Sequence, residues 1–415
     1  MRKSLLPISI YLLSYLPSAG QNLAYAFTYS KPGSLTGTTV QLVDLHTGQT
    51  VRSLYEEGQL YQISGTKVGR IIRNGDDVLQ KDTSLLPMAT SVAAAAYDQV
   101  HNRLFYTPLG INQLRYIDLS GSKLPTFNYV TGHEFGVCRG IFDVPGQITR
   151  MVISADGFGY SLSNDGDHLV RFTTGENIEI TDLGEVMDNP GNKTVSIHSL
   201  CTSTGGDMVS AVTGELTLVT AFNHVFSIDP ATRIATYRGM IAGLPAGFTS
   251  NGAAVDDDGD LIVSCATESR DNAYYKVDIK SLKATRVSAI GSVVPASDLA
   301  NSNLLGQAAG ARRLFGDISK TSLANPGRIF SIYPTPVTEG YLNMSLTNFE
   351  KGTYEVQIQD LAGRNIKSWS VAVDRKWQVE KIDIGAFTAQ GVYVIRLYDK
   401  PRSIFFIRQF MVTSD

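Results

Sequence analysis

Short apolar runs, each cut off by an Asp, Asn or Gly turn, recur along most of the chain. The stretch from Ile148 to Gly184 shows the unit. The pattern predicts strands from Arg150 to Ser154, Phe158 to Leu162, His168 to Thr173 and Ile178 to Leu183, separated by Asp156-Gly157, Asp165-Gly166 and a turn at Gly175. Asp-Gly pairs supply the positive φ of tight hairpin turns, and runs of this length between them read as strands rather than helices. Four antiparallel strands in so short a stretch, repeated along a chain, predict the blade of a β-propeller.

The third strand of each unit gives the register, because it ends in an acidic or polar turn. Val40 to Asp44, Leu114 to Asp118, His168 to Phe172, His224 to Asp229 and Tyr274 to Asp278 mark five units. The first interval is longer and contains Leu60 to Ala89, which reads as an insertion or an added hairpin, with a sixth, degenerate blade as the alternative. The unit beginning at Ala24 lacks an innermost strand, whereas Ser297-Asp298-Leu299-Ala300-Asn301 resembles an inner strand with nothing after it. Pairing the two completes a blade and closes the ring, and closure removes the sheet edges an open propeller exposes. The alternative is that residues 289–327 are a plain linker, since Gly, Ala, Ser and Asn dominate there.

From Arg328 the spacing changes: seven short strands separated by turns predict an immunoglobulin-like β-sandwich. The N-terminus, with Arg2 and Lys3 before an apolar run from Leu5 to Leu16 and small residues Ser18, Ala19 and Gly20, predicts a secretory signal peptide cleaved after Gly20. No later run is long enough for a spanning helix. The expected organisation is therefore all-β: signal peptide 1–20, closed β-propeller 21–305 (five blades, with six the alternative), linker 306–327 and a β-sandwich over 328–415.

The tail carries three ordered motifs. They are Tyr333-Pro334-Thr335-Pro336-Val337, then Gln359-Asp360-Leu361-Ala362-Gly363-Arg364, then Gly391-Val392-Tyr393-Val394-Ile395-Arg396-Leu397. Together with a terminal strand they resemble the type A sorting domain of the type IX secretion system. Thr335 stands where the family usually has Asn, and the last strand is a little longer than typical. The resemblance implies export by the general pathway and then passage through an outer-membrane translocon that reads this domain. Removal of the domain and surface anchoring often follow. The implied sorting-motif residues are Tyr333, Pro334, Pro336, Asp360, Gly363, Arg364, Gly391 and Tyr393. The repeat region, at Gly205-Gly206-Asp207-Met208, Gly243-Leu244-Pro245 and Phe248 to Ala253, also resembles uncharacterised propellers carried by such proteins. That second resemblance implies no activity.

Composition changes little. A formal net charge of -3, with 36 scattered Lys and Arg, gives no electrostatic case for nucleic acid. No zinc-protease, hydrolase-elbow or phosphate-loop motif is present. The six histidines lack ligand spacing, so neither a metal nor a cofactor is expected. Asp256-Asp257-Asp258-Gly259-Asp260 reads as a hairpin turn rather than a calcium loop, because the later bidentate Glu is missing. The three cysteines, Cys138, Cys201 and Cys265, read as buried small apolar side chains, with one bridge and a leftover thiol the alternative, and the aromatics read as sheet filling, with a glycan-binding face the alternative.

Counting seven residues back from the turn glycines Gly157, Gly214 and Gly259 lands on Arg150, Asp207 and Gly252 at the starts of inner strands, with Asn251 next to Gly252 and Asp298 equivalent in the closing blade. Arg150, Asp207, Asn251 and Asp298 are the candidate ligand residues at the channel mouth, able to hold a polar ligand or cation, or else to bond neighbouring blades. Two function classes follow. One is a secreted or cell-surface, non-enzymatic propeller that binds a glycan or protein. The other is a hydrolase or lactonase-like enzyme with a polar or metal site at the mouth. An acidic metal cluster there favours the enzyme, and an apolar, filled channel favours the binder.

Overall fold

The computed structural model describes residues 22–29, 38–56, 59–64, 68–70, 86–88, 90–120, 124–267, 272–289, 293–307, 329–333, 337, 340–347, 349–360, 365–384, 389–399 and 404–412. The expected signal peptide, nearly all of the expected linker, and Pro334, Pro336, Gly363 and Arg364 lie outside these residues. The regular elements among the described residues are all strands, apart from one short 3-10 turn at Pro190–Asn192. No described helix is long and apolar enough to cross a membrane.

Five sheets precede the tail. The third repeats the pattern read from the sequence, with Ile148–Ile153, Gly159–Ser163, Leu169–Phe172 and Ile180–Asp182 as an antiparallel meander. Gly157 and Gly259 adopt φ of 85° in their turns, a conformation that penalises any residue with a Cβ. The second sheet runs Val92–Asp98, Arg103–Pro108, Arg115–Asp118, Thr126–Tyr129. The long first interval adds a hairpin to its edge: Leu60–Ile63 lies parallel to Thr126–Tyr129 and pairs with Val68–Arg70. The fourth sheet starts at Asp207–Ser210 and the fifth at Gly252–Val255.

The first sheet is assembled from both ends of this region. Asp298–Ala300 pairs antiparallel with Leu23–Tyr29, in the register Tyr25↔Ala300, Ala26↔Leu299, Phe27↔Asp298. Ser297 Oγ adds hydrogen bonds to the carbonyls of Phe27 (3.0 Å) and Val92 (2.8 Å).

The cores lie between sheets, not within one. Phe27 and Tyr55 of the first sheet meet Leu104 and Phe127 of the second, whose Phe105 meets Met151 and Phe172 of the third. Leu162 meets Leu218 and Phe226 of the fourth, and Val219 meets Val255 and Val263 of the fifth. Ala254 and Ile262 of the fifth then pack on Ala24 and Ala26 of the first. Neighbouring residues such as Leu104 and Phe105, or Ile262 and Val263, therefore point into different cores. A strand buried on both faces must be apolar at consecutive positions, which is why these segments read as runs rather than alternations.

The acidic residue that ends the third strand has a common use. Asp44 Oδ1 accepts the amides of His46 and Thr47, and Asp118 Oδ1 that of Ser120. Asp229 Oδ1 accepts the Ala231 amide, and Asp278 Oδ1 those of Lys280 and Ser281. A short carboxylate satisfies turn amides that no ladder can reach. These amide bonds hold the Asp278 carboxyl below its ordinary range.

In the tail, one sheet has the order Ile329–Tyr333, Tyr341–Thr347, Trp377–Asp383. A second runs Asn365–Val373, Gly352–Asp360, Gly391–Asp399, Ile404–Val412. Leu342, Met344 and Leu346 of the first share one core with Tyr354, Val356, Ile358, Ile395 and Leu397 of the second. The alternation of Tyr354, Val356 and Ile358 is the one-sided burial expected of such a layer.

Candidate functional site at the axis

The inner strands Val92–Asp98, Ile148–Ile153, Asp207–Ser210, Gly252–Val255 and Asp298–Ala300 pack side by side, each against the next. Small residues permit this approach. A Cβ on Gly252 would lie 2.7 Å from Ser264 Oγ, 2.9 Å from Leu299 Cγ and 3.1 Å from the Asp298 carbonyl carbon. Between the strands, Ala95, Met151, Val152, Met208, Val209, Ala253 and Leu299 line a cavity of about 10 Å³, with Asn301 and Asn303 also at its wall. That is at the lower limit for one water molecule.

The four candidate residues separate into two kinds. Arg150 is wholly buried, and its guanidinium donates to the Gly205 carbonyl (3.0 Å), the Ser163 carbonyl (2.6 Å) and the Ser203 carbonyl. It ties the third sheet to the loop that enters the fourth, and burial pulls its pKa down to about 9. The Asn251 side-chain oxygen accepts from Thr249 Oγ1 (2.7 Å) and the Ala266 amide (3.0 Å). Arg150 and Asn251 are thus engaged within the protein instead of pointing into an open mouth, because polar groups at crowded strand ends need partners.

Asp207 and Asp298 are buried together, not exposed in a solvent-connected opening. Asp207 Oδ1 accepts the Met208 amide at 2.6 Å, and Oδ2 accepts those of Ala253 at 2.7 Å and Leu299 at 3.4 Å. Both oxygens of Asp298 lack a hydrogen-bond partner, and the Ala95 amide is near without completing a bond. Burial raises both carboxyls well above the ordinary range. The Asp207 charge raises Asp298 further, while the three amides partly offset the rise at Asp207.

Other clusters have evident partners. Asp256 Oδ1 accepts the amides of Asp258 and Asp260, and Lys276 Nζ lies 2.7 Å from Asp256, 3.0 Å from Asp260 and 3.5 Å from Asp258. Burial pulls the Lys276 ammonium down, but the hydrogen bonds to Asp256 and Asp260 outweigh it and leave its pKa raised. Lys276 is sixteen or more positions from these acids, across a hairpin, and spacing within the Asp run could not reveal it. His46 also reaches Asp256 and Asp257, at 3.9 and 3.8 Å, and His198 reaches Asp167 and Glu185, at 3.2 and 3.7 Å.

The cysteines differ from expectation. Cys265 is buried, Cys138 is half-buried and Cys201 is exposed, and all three are free. Cys201 sits in the long loop before Asp207–Ser210, where no strand pattern hides a side chain. The aromatics do fill the sheets in places: Tyr55, Tyr61 and Phe127 meet edge to face at 5.3 to 6.4 Å.

Residues 331–411 match the secretion system C-terminal sorting domain family. They constitute such a sorting domain, preceded by a β-propeller-like region. Among solved structures, the chain is similar to PorZ of Porphyromonas gingivalis, described as an essential bacterial surface component of the type-IX secretion system. Identity is 14%, the TM-score is 0.33, and the match covers 94% of this chain. The chain spans 58% of the length of PorZ. It is also similar to a putative 6-phosphogluconolactonase from Bacteroides uniformis (14% identity, TM-score 0.37, 68% of this chain and 86% of that one). A third likeness is to the periplasmic gluconolactonase of Pseudomonas aeruginosa (13% identity, TM-score 0.33, 66% of this chain and 68% of that one). No curated protein matches the sequence. The sorting domain identifies the chain as a protein delivered across the outer membrane by the type IX system, to the cell surface or the medium.

Proposed function

We propose that residues 21–305 form a closed five-bladed propeller that acts as a non-enzymatic binding or interaction module. In this reading residues 306–327 are a linker, and residues 328–415 are an immunoglobulin-like sandwich that addresses the protein to the type IX translocon. The cyclic order of the five cores supports closure.

The observation that carries the binding reading is the filled axis. A small-molecule site needs a cleft of several hundred Å³, whereas the space between the inner strands is about 10 Å³ and lined largely by Ala, Met, Val and Leu. The ligand is then a protein or glycan held by the outer face. One observation favours the lactonase-like alternative, namely two carboxyls at the axis. Both are at most 1% exposed, so a dissolved substrate cannot touch them without parting the inner strands.

Purified mature protein tests this in two arms. Glycan-array and cell-surface binding assays should return a ligand, while lactone and ester substrates should turn over no faster than in buffer. Lactone hydrolysis abolished by Asp207→Asn with the fold intact would replace this reading by the enzymatic one. The targeting role is tested by ending the chain at Pro326. The truncated protein should accumulate in the periplasm, and normal arrival at the surface or in the medium would refute the assignment.

A further inference from the structure

Asp298 is the first residue of the strand that completes the first sheet, and it is 0% exposed with neither carboxyl oxygen hydrogen-bonded. An ionised carboxylate in that state has neither water nor a donor, so its charged form is strongly disfavoured. No cation compensates it among the described residues that pack around it. The Leu23–Tyr29 strand carries only the phenols Tyr25 and Tyr29, and Gly252–Val255 carries no titratable group. Val92–Asp98 carries Tyr97 and Asp98, of which Asp98 is engaged with the Val100 amide and His101. Arg150, on Ile148–Ile153, is held by three carbonyls. Asp207 is the charged group that acts on Asp298, and its Oδ2 lies 3.4 Å from the amide of the next residue, Leu299.

The two carboxyls are not equivalent. Three backbone amides converge on Asp207 and stabilise its anion, while Asp298 has only the Ala95 amide nearby and no completed hydrogen bond. A hard divalent ion needs six to eight oxygens, and neither aspartate belongs to any grouping of three potential ligands among the described residues.

We propose that Asp298 is a neutral carboxylic acid at neutral pH, donating its proton to the Asp207 carboxylate, and that this shared proton locks the closing strand onto the axis. The proton comes from solvent on folding and returns to solvent when the pair ionises. Two facing carboxylates then repel, and the Leu299 amide contact to Asp207 is the nearest interaction to be lost. A carboxyl whose pKa is higher in the fold than in the unfolded chain adds stability that is complete below the unfolded value, about 3.9. That stability is lost as pH rises through the folded value. Between the unfolded and the folded value the folding constant falls about tenfold per pH unit, and above the folded value it levels off.

The test uses the mature full chain. Infrared spectra at neutral pH should contain a protonated-carboxyl C=O band that disappears in Asp298→Asn. Thermal melts from about pH 5 to about pH 9 should show the wild type losing stability relative to Asp298→Asn, whose amide donates to Asp207 without ionising. Absence of the band in the wild type overturns the proposal, and this measurement stands even if the variant does not fold. Parallel pH profiles for the two proteins also overturn it. A melting shift on calcium addition or chelation in the wild type but not in Asp298→Asn would assign the pair to a metal ion instead.

Discussion

Lys276 occupies the place where a cation would complete the Asp256, Asp258 and Asp260 cluster, with its ammonium within 3.5 Å of all three. Asp256 is fully buried, so removing the ammonium leaves an uncompensated charge there. Lys276→Met should destabilise the protein by about 1–3 kcal/mol, less at high salt, as measured by urea titration. Calcium should raise the melting temperature of this variant and leave the wild type unchanged, because three carboxylates then lack their internal partner. Arg150 is the second residue whose role is decided by partners. Arg150→Met removes the guanidinium from the carbonyls of Ser203 and Gly205, and leaves that of Ser163 with the Gly166 amide alone; it should cost about 2–4 kcal/mol with no effect on ligand binding. An unchanged melting curve for Arg150→Met would show that the guanidinium is not a structural tie.

Among elements, the closing strand has the largest consequence for its length. Asp298–Ala300 has only three residues, yet it pairs with Leu23–Tyr29, and its Leu299 packs beside Ala254 and Ile262. Asn303 continues the attachment by donating to the carbonyls of Val255 and Asp256. A chain ending at Gln307 should therefore melt in one cooperative transition, whereas one ending at Ala296 should lose cooperativity and expose the inner edge of the first sheet. Calorimetry of the two chains decides this, and equal transitions would show that the strand is dispensable.

At the scale of the whole molecule, the propeller-like region and the sorting domain divide the labour. The tail builds its own core from Phe330, Leu342, Tyr354, Ile395 and their neighbours, which explains how a domain of this size can serve as an address tag on a separate cargo. The sheets ahead of it use a different economy of burial. Inner and middle strands are covered on both faces, so the large apolar residues left outside lie in loops, such as Phe142 at 89% exposure, or on outer strands, such as Val51 and Met240.

Strand positions, turn glycines, the Asp that ends four of the five third strands and the sorting motifs were all legible in the sequence. Each depends on residues within a few positions of one another: a run of apolar side chains, a φ only Gly tolerates, a carboxylate reaching the next amides. The incomplete unit at Ala24 and the orphan strand at Asp298 also suggested their own pairing. What local pattern could not convey is which polar groups meet across sheets. Arg150 occupies the strand position equivalent to Asp207, and Asn251 lies just before the equivalent Gly252, yet both find carbonyl, hydroxyl and amide partners, whereas neither oxygen of Asp298 completes a hydrogen bond. Lys276 neutralises an Asp cluster from the neighbouring strand, and Cys201 is exposed although its own loop buries Ile197 and Ser203. Only the tertiary structure decides these, because the charge and solvation of a buried group depend on neighbours that sheet packing brings in from distant parts of the chain.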